Sequence, residues 1–158
     1  MKNETIRIIT ADPASKDAQP LLEALWAYHQ DRTPVDGQYW LGVDALSEPC
    51  VTFFLAYRAG IAVGTAAYST KNSELKSMFV ADTARGTGVA AALVAKVETA
   101  ARAAGVLRLE TGPTHFSAIK FYEKVGFIHC ERFGDYVDNG YSVCMAKRFD
   151  KNLSKGIV

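Results

Sequence analysis

ELKSMFVADTARGTGVAAALVAKVETAARAAGVLRLE, residues 74–110, changes its periodicity twice. Glu74 to Val80 alternates partly between apolar and polar side chains, which predicts a strand. From about Thr87 to Ala104 the period lengthens. Ala90, Leu93, Val94, Val97, Ala101 and Ala104 then fall on one face of a helix. Gly105 stops it, and Val106 to Leu109 is the next strand. Strand, helix and strand in this order make a βαβ unit, so the two strands run parallel.

Upstream the pattern is different. Val51 to Tyr57 and Ile61 to Ser69 are dense apolar runs joined by a tight turn at Gly60. Lys71-Asn72-Ser73 makes a second turn into Glu74, so these strands form an antiparallel meander. Ile6 to Thr10 is a first strand, ended by Asp12-Pro13. A helix follows, capped by Asp17 or Ser15, with Leu22, Leu25, Trp26 and His29 on one face as far as about Arg32. Thr33 to Pro49 reads as loop with a short helix. Downstream, a helix carries Ala118, Tyr122 and Val125 and stops at Gly126, and Phe127 to Glu131 and Ser142 to Lys147 are the last strands. The expected architecture is α/β (α+β). A mixed, mostly antiparallel sheet of about six to seven strands is flanked by about four helices around a central parallel pair. Residues 1–149 form one domain, and 150–158 are a polar tail.

The 158 residues suit one domain, and 49% apolar content supplies a core. A net charge of +1 without a Lys/Arg run gives no global field to attract nucleic acid or an anionic membrane and leaves only a local basic stripe open, so neither is expected as a partner. Cys50, Cys130 and Cys144 are odd in number and far apart. With His29, His115 and His129 they form no ligand set, so reduced, mostly buried thiols are expected and no metal. The charged N-terminus has no apolar stretch behind it, and no run approaches the ~20 apolar residues of a membrane span. A cytoplasmic protein is expected.

Between the strand ending at Val80 and the following helix lie Arg85, Gly86 and Gly88. A helix N-terminus presents N–H groups without partners, glycines admit a ligand to the backbone, and Arg85 adds charge. This describes a diphosphate cradle. It equally describes a Gly-rich turn with Thr87 as cap. Gly86-x-Gly88-x-x-Ala91, with Glu110 closing the next strand, also matches a dinucleotide fingerprint. Against that, Ala81 to Gly86 is too long a connection, and the unit follows an antiparallel meander. No Gly-Lys-Ser/Thr follows, which excludes a Walker loop.

Met78-Phe79-Val80 … Arg85-Gly86-Thr87-Gly88-Val89-Ala90 resembles motif A of the GNAT family of N-acetyltransferases, and Ala118-Ile119-Lys120-Phe121-Tyr122-Glu123-Lys124-Val125-Gly126-Phe127 resembles their motif B. Order and spacing match from about Glu74 to Phe127, and Leu109-Glu110-Thr111-Gly112 is similar to a bacterial subgroup of small members. The resemblance implies acetyl-CoA as cosubstrate, lying between two splayed strands. Its pantetheine arm would pair with the backbone at Met78 and Val80, with Phe79 between them also in the coenzyme site, and Arg85 to Ala90 would hold its diphosphate. N–H groups near Met78 to Val80 would polarise the thioester carbonyl. Tyr122 stands at the family's general-acid position for the departing thiolate. Its alternative is an aromatic packed on the sheet. Many members have Asn where this chain has His115, so His115 is expected to contact the coenzyme, with a role as base also open.

The expected reaction moves an acetyl group to a primary amine of a small molecule or peptide. Glu110 is expected in the site. Glu74, Tyr68 and His29 are further candidates for a base, and a water chain would also serve. Trp26, Tyr28, His29, Tyr39, Trp40 and Tyr136 are candidates for an aromatic acceptor pocket. A non-catalytic acyl-CoA-binding module is the alternative, with a nicotinamide oxidoreductase behind it. The strand near Ser142 to Lys147 also allows pairing between copies as a homodimer.

Overall fold

A computed structural model describes residues 5–34 and 38–150. In chain order the elements are β1 (Ile6–Thr10), α1 (Ala18–Arg32), α2 (Val43–Leu46), β2 (Val51–Arg58), β3 (Ile61–Ser69), β4 (Glu74–Val80), α3 (Val89–Ala101), β5 (Val106–Thr111), α4 (Phe116–Lys124), β6 (Ile128–His129) and β7 (Val143–Arg148). The seven strands form one sheet in the order β1-β2-β3-β4-β5-β7-β6. Every neighbouring pair is antiparallel except the central β4–β5 pair.

Alternation along β2 divides the core. Phe54 and Ala56 face a cluster with Leu93, Val94 and Val97 of α3, Leu107 and Leu109 of β5, and Met145 of β7. Phe53 and Leu55 point the other way, onto Leu21, Leu22 and Leu25 of α1 and Leu46 of α2. Thus α3 and α4 cover one face, and α1 and α2 the other. Gly64 of β3 lets α3 lie close: a Cβ there would sit 3.0 Å from Leu93 Cδ1, 3.1 Å from Val89 Cγ1 and 3.0 Å from the Phe79 carbonyl oxygen.

Several boundaries shift from their expected places. α3 starts at Val89 because Gly88 has φ +92°, which no helical residue adopts. Thr87 does not cap it, since its hydroxyl donates back to the Ala84 carbonyl. The helix closes through a 3-10 turn at Arg102–Ala104 before Gly105. Of the two expected caps on α1, Ser15 Oγ accepts the Ala18 N–H at 3.3 Å, while Asp17 accepts the Tyr57 hydroxyl at 2.7 Å. β6 shrinks to Ile128–His129, although the Cys130 N–H still donates to the Cys144 carbonyl at 3.0 Å. Among the thiols only Cys144 is buried; Cys50 and Cys130 are half-buried. The tail beyond Asp150 lies outside the described residues. Among those residues, no helix is long and apolar enough to cross a membrane.

Candidate active site

The parallel pair is bridged only at Glu74↔Arg108. Beyond that point β4 turns away from β5, and a bulge in β4 accompanies the turn. The β3–β4 register slips between Thr65 and Ala67, and Ser77 takes φ +54°. Buried Thr65 holds the bulge by donating its hydroxyl to the Ser77 carbonyl at 2.8 Å. The gap is a cleft of about 750 Å³. Met78, Phe79 and Val80 line one wall, Leu109, Glu110 and Thr111 the other. Phe121 and Tyr122 of α4 close one side, and Tyr28, His29 and Arg32 of α1 close the opposite side with Tyr39 and Trp40.

At one end Arg85 and Ala90 line the cleft beside the start of α3. Gly86 has φ +76°, and nothing lies within 4 Å of where its Cβ would be. The first N–H groups of α3 have no helical acceptor. Backbone donors, open space and a helix dipole thus converge on one point. Arg85 is exposed and paired with Asp82 at 3.2 Å, within reach of an arriving anion.

The other end holds a buried polar network. The Tyr136 hydroxyl donates to Glu74 Oε2 at 2.6 Å, and Lys76 Nζ donates to that hydroxyl at 2.8 Å and to the Tyr39 carbonyl at 3.1 Å. Lys76 also lies 3.4 Å from Glu74 Oε2, so this lysine and this glutamate neutralise each other. Glu110 accepts the Ser142 hydroxyl at 2.7 Å. Burial pushes the Glu110 carboxyl above its ordinary range, and the Ser142 bond opposes that only in part. Tyr122 is buried, its ring edge-on to Phe127 at 5.7 Å. Burial raises its pKa well beyond the ordinary tyrosine value, so the hydroxyl keeps its proton. No hydrogen-bond partner holds that hydroxyl among the described residues, and Tyr122 lines the cleft.

His29 and His115 stack at 5.4 Å, and Trp40 also stacks with His29 at 6.0 Å. Burial first, then His115 and Arg32, lower the His29 pKa to about 4. Burial and Arg32 lower that of His115. Nδ1 of His115 lies 3.4 Å from Thr111 Oγ1, and its Nε2 is buried without a partner.

Residues 15–127 match the model of the acetyltransferase (GNAT) family. The chain belongs to that family. It is 34% identical to the IAA acetyltransferase of Azospirillum brasilense, over 90% of this chain and 97% of the relative. Its identity to the uncharacterised N-acetyltransferase YsnE of Bacillus subtilis (strain 168) is 32%, over 73% of this chain and 82% of that one. A solved structure from Klebsiella pneumoniae subsp. pneumoniae MGH 78578 superposes with a TM-score of 0.72 at 27% identity, covering 93% of this chain and 98% of the other.

In this GNAT acyltransferase the cleft gathers most of the expected residues. Met78, Phe79, Val80, Arg85, Ala90, Glu110, His115 and Tyr122 all line it. Gly86, Thr87 and Gly88 stand at its end, where the Thr87 hydroxyl is already engaged, and Val89 offers only backbone because its side chain is in the core. Tyr28, His29, Tyr39 and Trp40 line the cleft on the side closed by α1. Trp26 does not; its indole N–H donates to the Leu41 carbonyl at 3.2 Å. Tyr136 stands behind the wall as the partner of Glu74, and Tyr68 is bonded to Ser73 at 2.9 Å, away from the cleft. Lys76, Ser142 and Arg32 carried no sequence signal. Each owes its place to a partner or ring distant in the chain or one helical turn away.

Proposed function

We propose that the protein transfers an acetyl group from acetyl-CoA to a primary amine by direct attack. The observation that carries this reading is the opened β4–β5 pair, with free helix N–H groups at one end and Tyr122 in its lining. The unpaired edge of β4 suits an extended pantetheine arm, which would add like a strand at Met78, Phe79 and Val80. The loop from Arg85 to Ala90 suits the diphosphate. His115 borders the arm's path but turns its ring toward α1, which favours a place on the acceptor side.

Glu110 takes a proton from the substrate ammonium. The amine nitrogen then forms a bond to the thioester carbonyl carbon while N–H groups near Met78 to Val80 hold the developing oxyanion. The carbon–sulfur bond breaks, and Tyr122 gives its proton to the leaving sulfur. The proton lost by the new amide nitrogen restores the tyrosine. The balance is ammonium plus thioester giving amide, thiol and one released proton. The test is thiol release from acetyl-CoA across a panel of amines, with coenzyme binding by calorimetry. Absence of coenzyme binding overturns the reading.

A further inference from the structure

Charge around the acceptor half of the cleft separates into two poles. Lys76 and Glu74 neutralise each other through Tyr136, and Arg85 belongs to the far end. Glu110 remains on one wall. Arg32 remains on the side closed by α1, near His29 and His115. The Arg32 guanidinium lies 4.0 Å over the Tyr28 ring, and one nitrogen donates to the Tyr28 carbonyl at 3.1 Å. That carbonyl belongs to the last turn of α1, so Arg32 itself covers the negative end of the helix there. It has no carboxylate partner among the described residues, and its other N–H groups are left for an anion. Nearby, the buried Nε2 of His115 has no partner, a position that only a ligand or water can satisfy. Tyr28, His29 and Trp40 make an aromatic surface on the Arg32 side of the cleft.

We infer that the acceptor is a free amino acid with an apolar or aromatic side chain, its ammonium at Glu110 and its carboxylate at Arg32 and His115. The inference rests on the acyl-transfer reading of the same cleft. A carboxylate accepts from a guanidinium in a fixed fork and from an imidazole N–H, and both bonds are charge-assisted. An amine without a carboxylate leaves Arg32 and the His115 nitrogen unanswered, and sites built to hydrogen-bond a group discriminate strongly against ligands that lack it.

Matched pairs test this: L-phenylalanine against phenethylamine, and L-leucine against isoamylamine, each with acetyl-CoA. The amino acid is expected to have a kcat/KM at least about tenfold higher. Arg32→Gln is expected to shrink that ratio toward one through a raised KM for the amino acid, and Arg32→Lys to recover part of it. Arg32 is exposed, so its replacement spares the core. A wild-type ratio near or below one, or a ratio untouched by Arg32→Gln, overturns the inference while acyl transfer stands. If no amine is acetylated, the transfer reading fails, and product binding decides the carboxylate question by itself. Tighter calorimetric binding of N-acetyl-L-phenylalanine than of N-phenethylacetamide, lost in Arg32→Gln, supports the inference. Equal binding overturns it.

Discussion

Tyr122 combines three properties: a buried ring, a proton held by that burial, and a hydroxyl with no bond to break before it can donate. Tyr122→Phe keeps the ring and removes only the donor. We expect kcat to fall about 100-fold, within the range for loss of a general acid, with acetyl-CoA affinity unchanged. Steady-state kinetics beside calorimetry check this, and full activity rejects the role. Glu110 predicts a pH dependence. As a base it acts ionised, so activity falls with pH through its folded pKa, which burial sets above the ordinary 4.5. Glu110→Gln is expected to lower kcat and to remove this acid limb from the rate profile, and an unchanged profile rejects the role. His29 acts on stability with its own sign. Its folded pKa is about 4 against 6.5 in the unfolded chain, so between those values the unfolded state holds more protons. Stability from keeping His29 neutral is complete above 6.5 and is lost as pH falls toward 4. Melting temperature is therefore expected to drop across that interval, and to drop less in His29→Gln. Tyr122 and the glycines were legible in the sequence because they sit in compact spacings. Lys76 was not. Its partners Tyr39, Glu74 and Tyr136 are brought together by the fold, and a lone lysine in a strand carries no mark of burial.

At the scale of elements, helix α3 sets where the loop Arg85 to Ala90 points, and its height over the sheet depends on Gly64. Adding one methyl there puts it 3.0 Å from the Phe79 carbonyl oxygen, which is backbone and cannot swing aside. Gly64→Ala is expected to destabilise the protein by about 1–3 kcal/mol, as for other overpacked cores, and to raise KM for acetyl-CoA as the start of α3 is displaced. Denaturant melts and kinetics read the two effects, and a neutral outcome in both shows that α3 is free to shift. Lys147 anchors the same helix from below, donating to Glu98 of α3 at 2.7 Å and to the Val125 carbonyl after α4 at 2.9 Å. Periodicity in the sequence located α3 and the meander because their apolar faces are long. The start of α3 was misplaced because Thr87 looks like a cap, while the left-handed turn at Gly88 moves the helix on to Val89. The last strands were harder. β6 has little length over which alternation can show.

For the whole molecule, the sheet has two parts, β1 to β4 and β5-β7-β6, joined along one end. That end is pinned by side chains. Ser73 Oγ donates to the Val106 carbonyl at 2.6 Å, Tyr68 bonds Ser73 at 2.9 Å, and Arg108 donates to the Asn72 carbonyl at 2.8 Å. The other end is the cleft. A ligand that pairs with the free edge of β4 while its diphosphate sits on α3 would tie the parts together where the protein does not. Such a ligand binds the folded state alone, so at a concentration near 100 times its dissociation constant it adds about 2.7 kcal/mol of stability. For a chain of this size that corresponds to a rise in melting temperature of about 5–10 °C. Acetyl-CoA and CoA are expected to give it and NADH to give none, which separates the coenzyme site from the dinucleotide fingerprint that Gly86 and Gly88 also fit. Hydrogen exchange should slow at Met78 to Val80 in the presence of CoA, because a strand-like partner protects the amides that face the cleft. Protection confined to the start of α3 would mean that only the diphosphate is held, and the strand-addition part of the reading would fall.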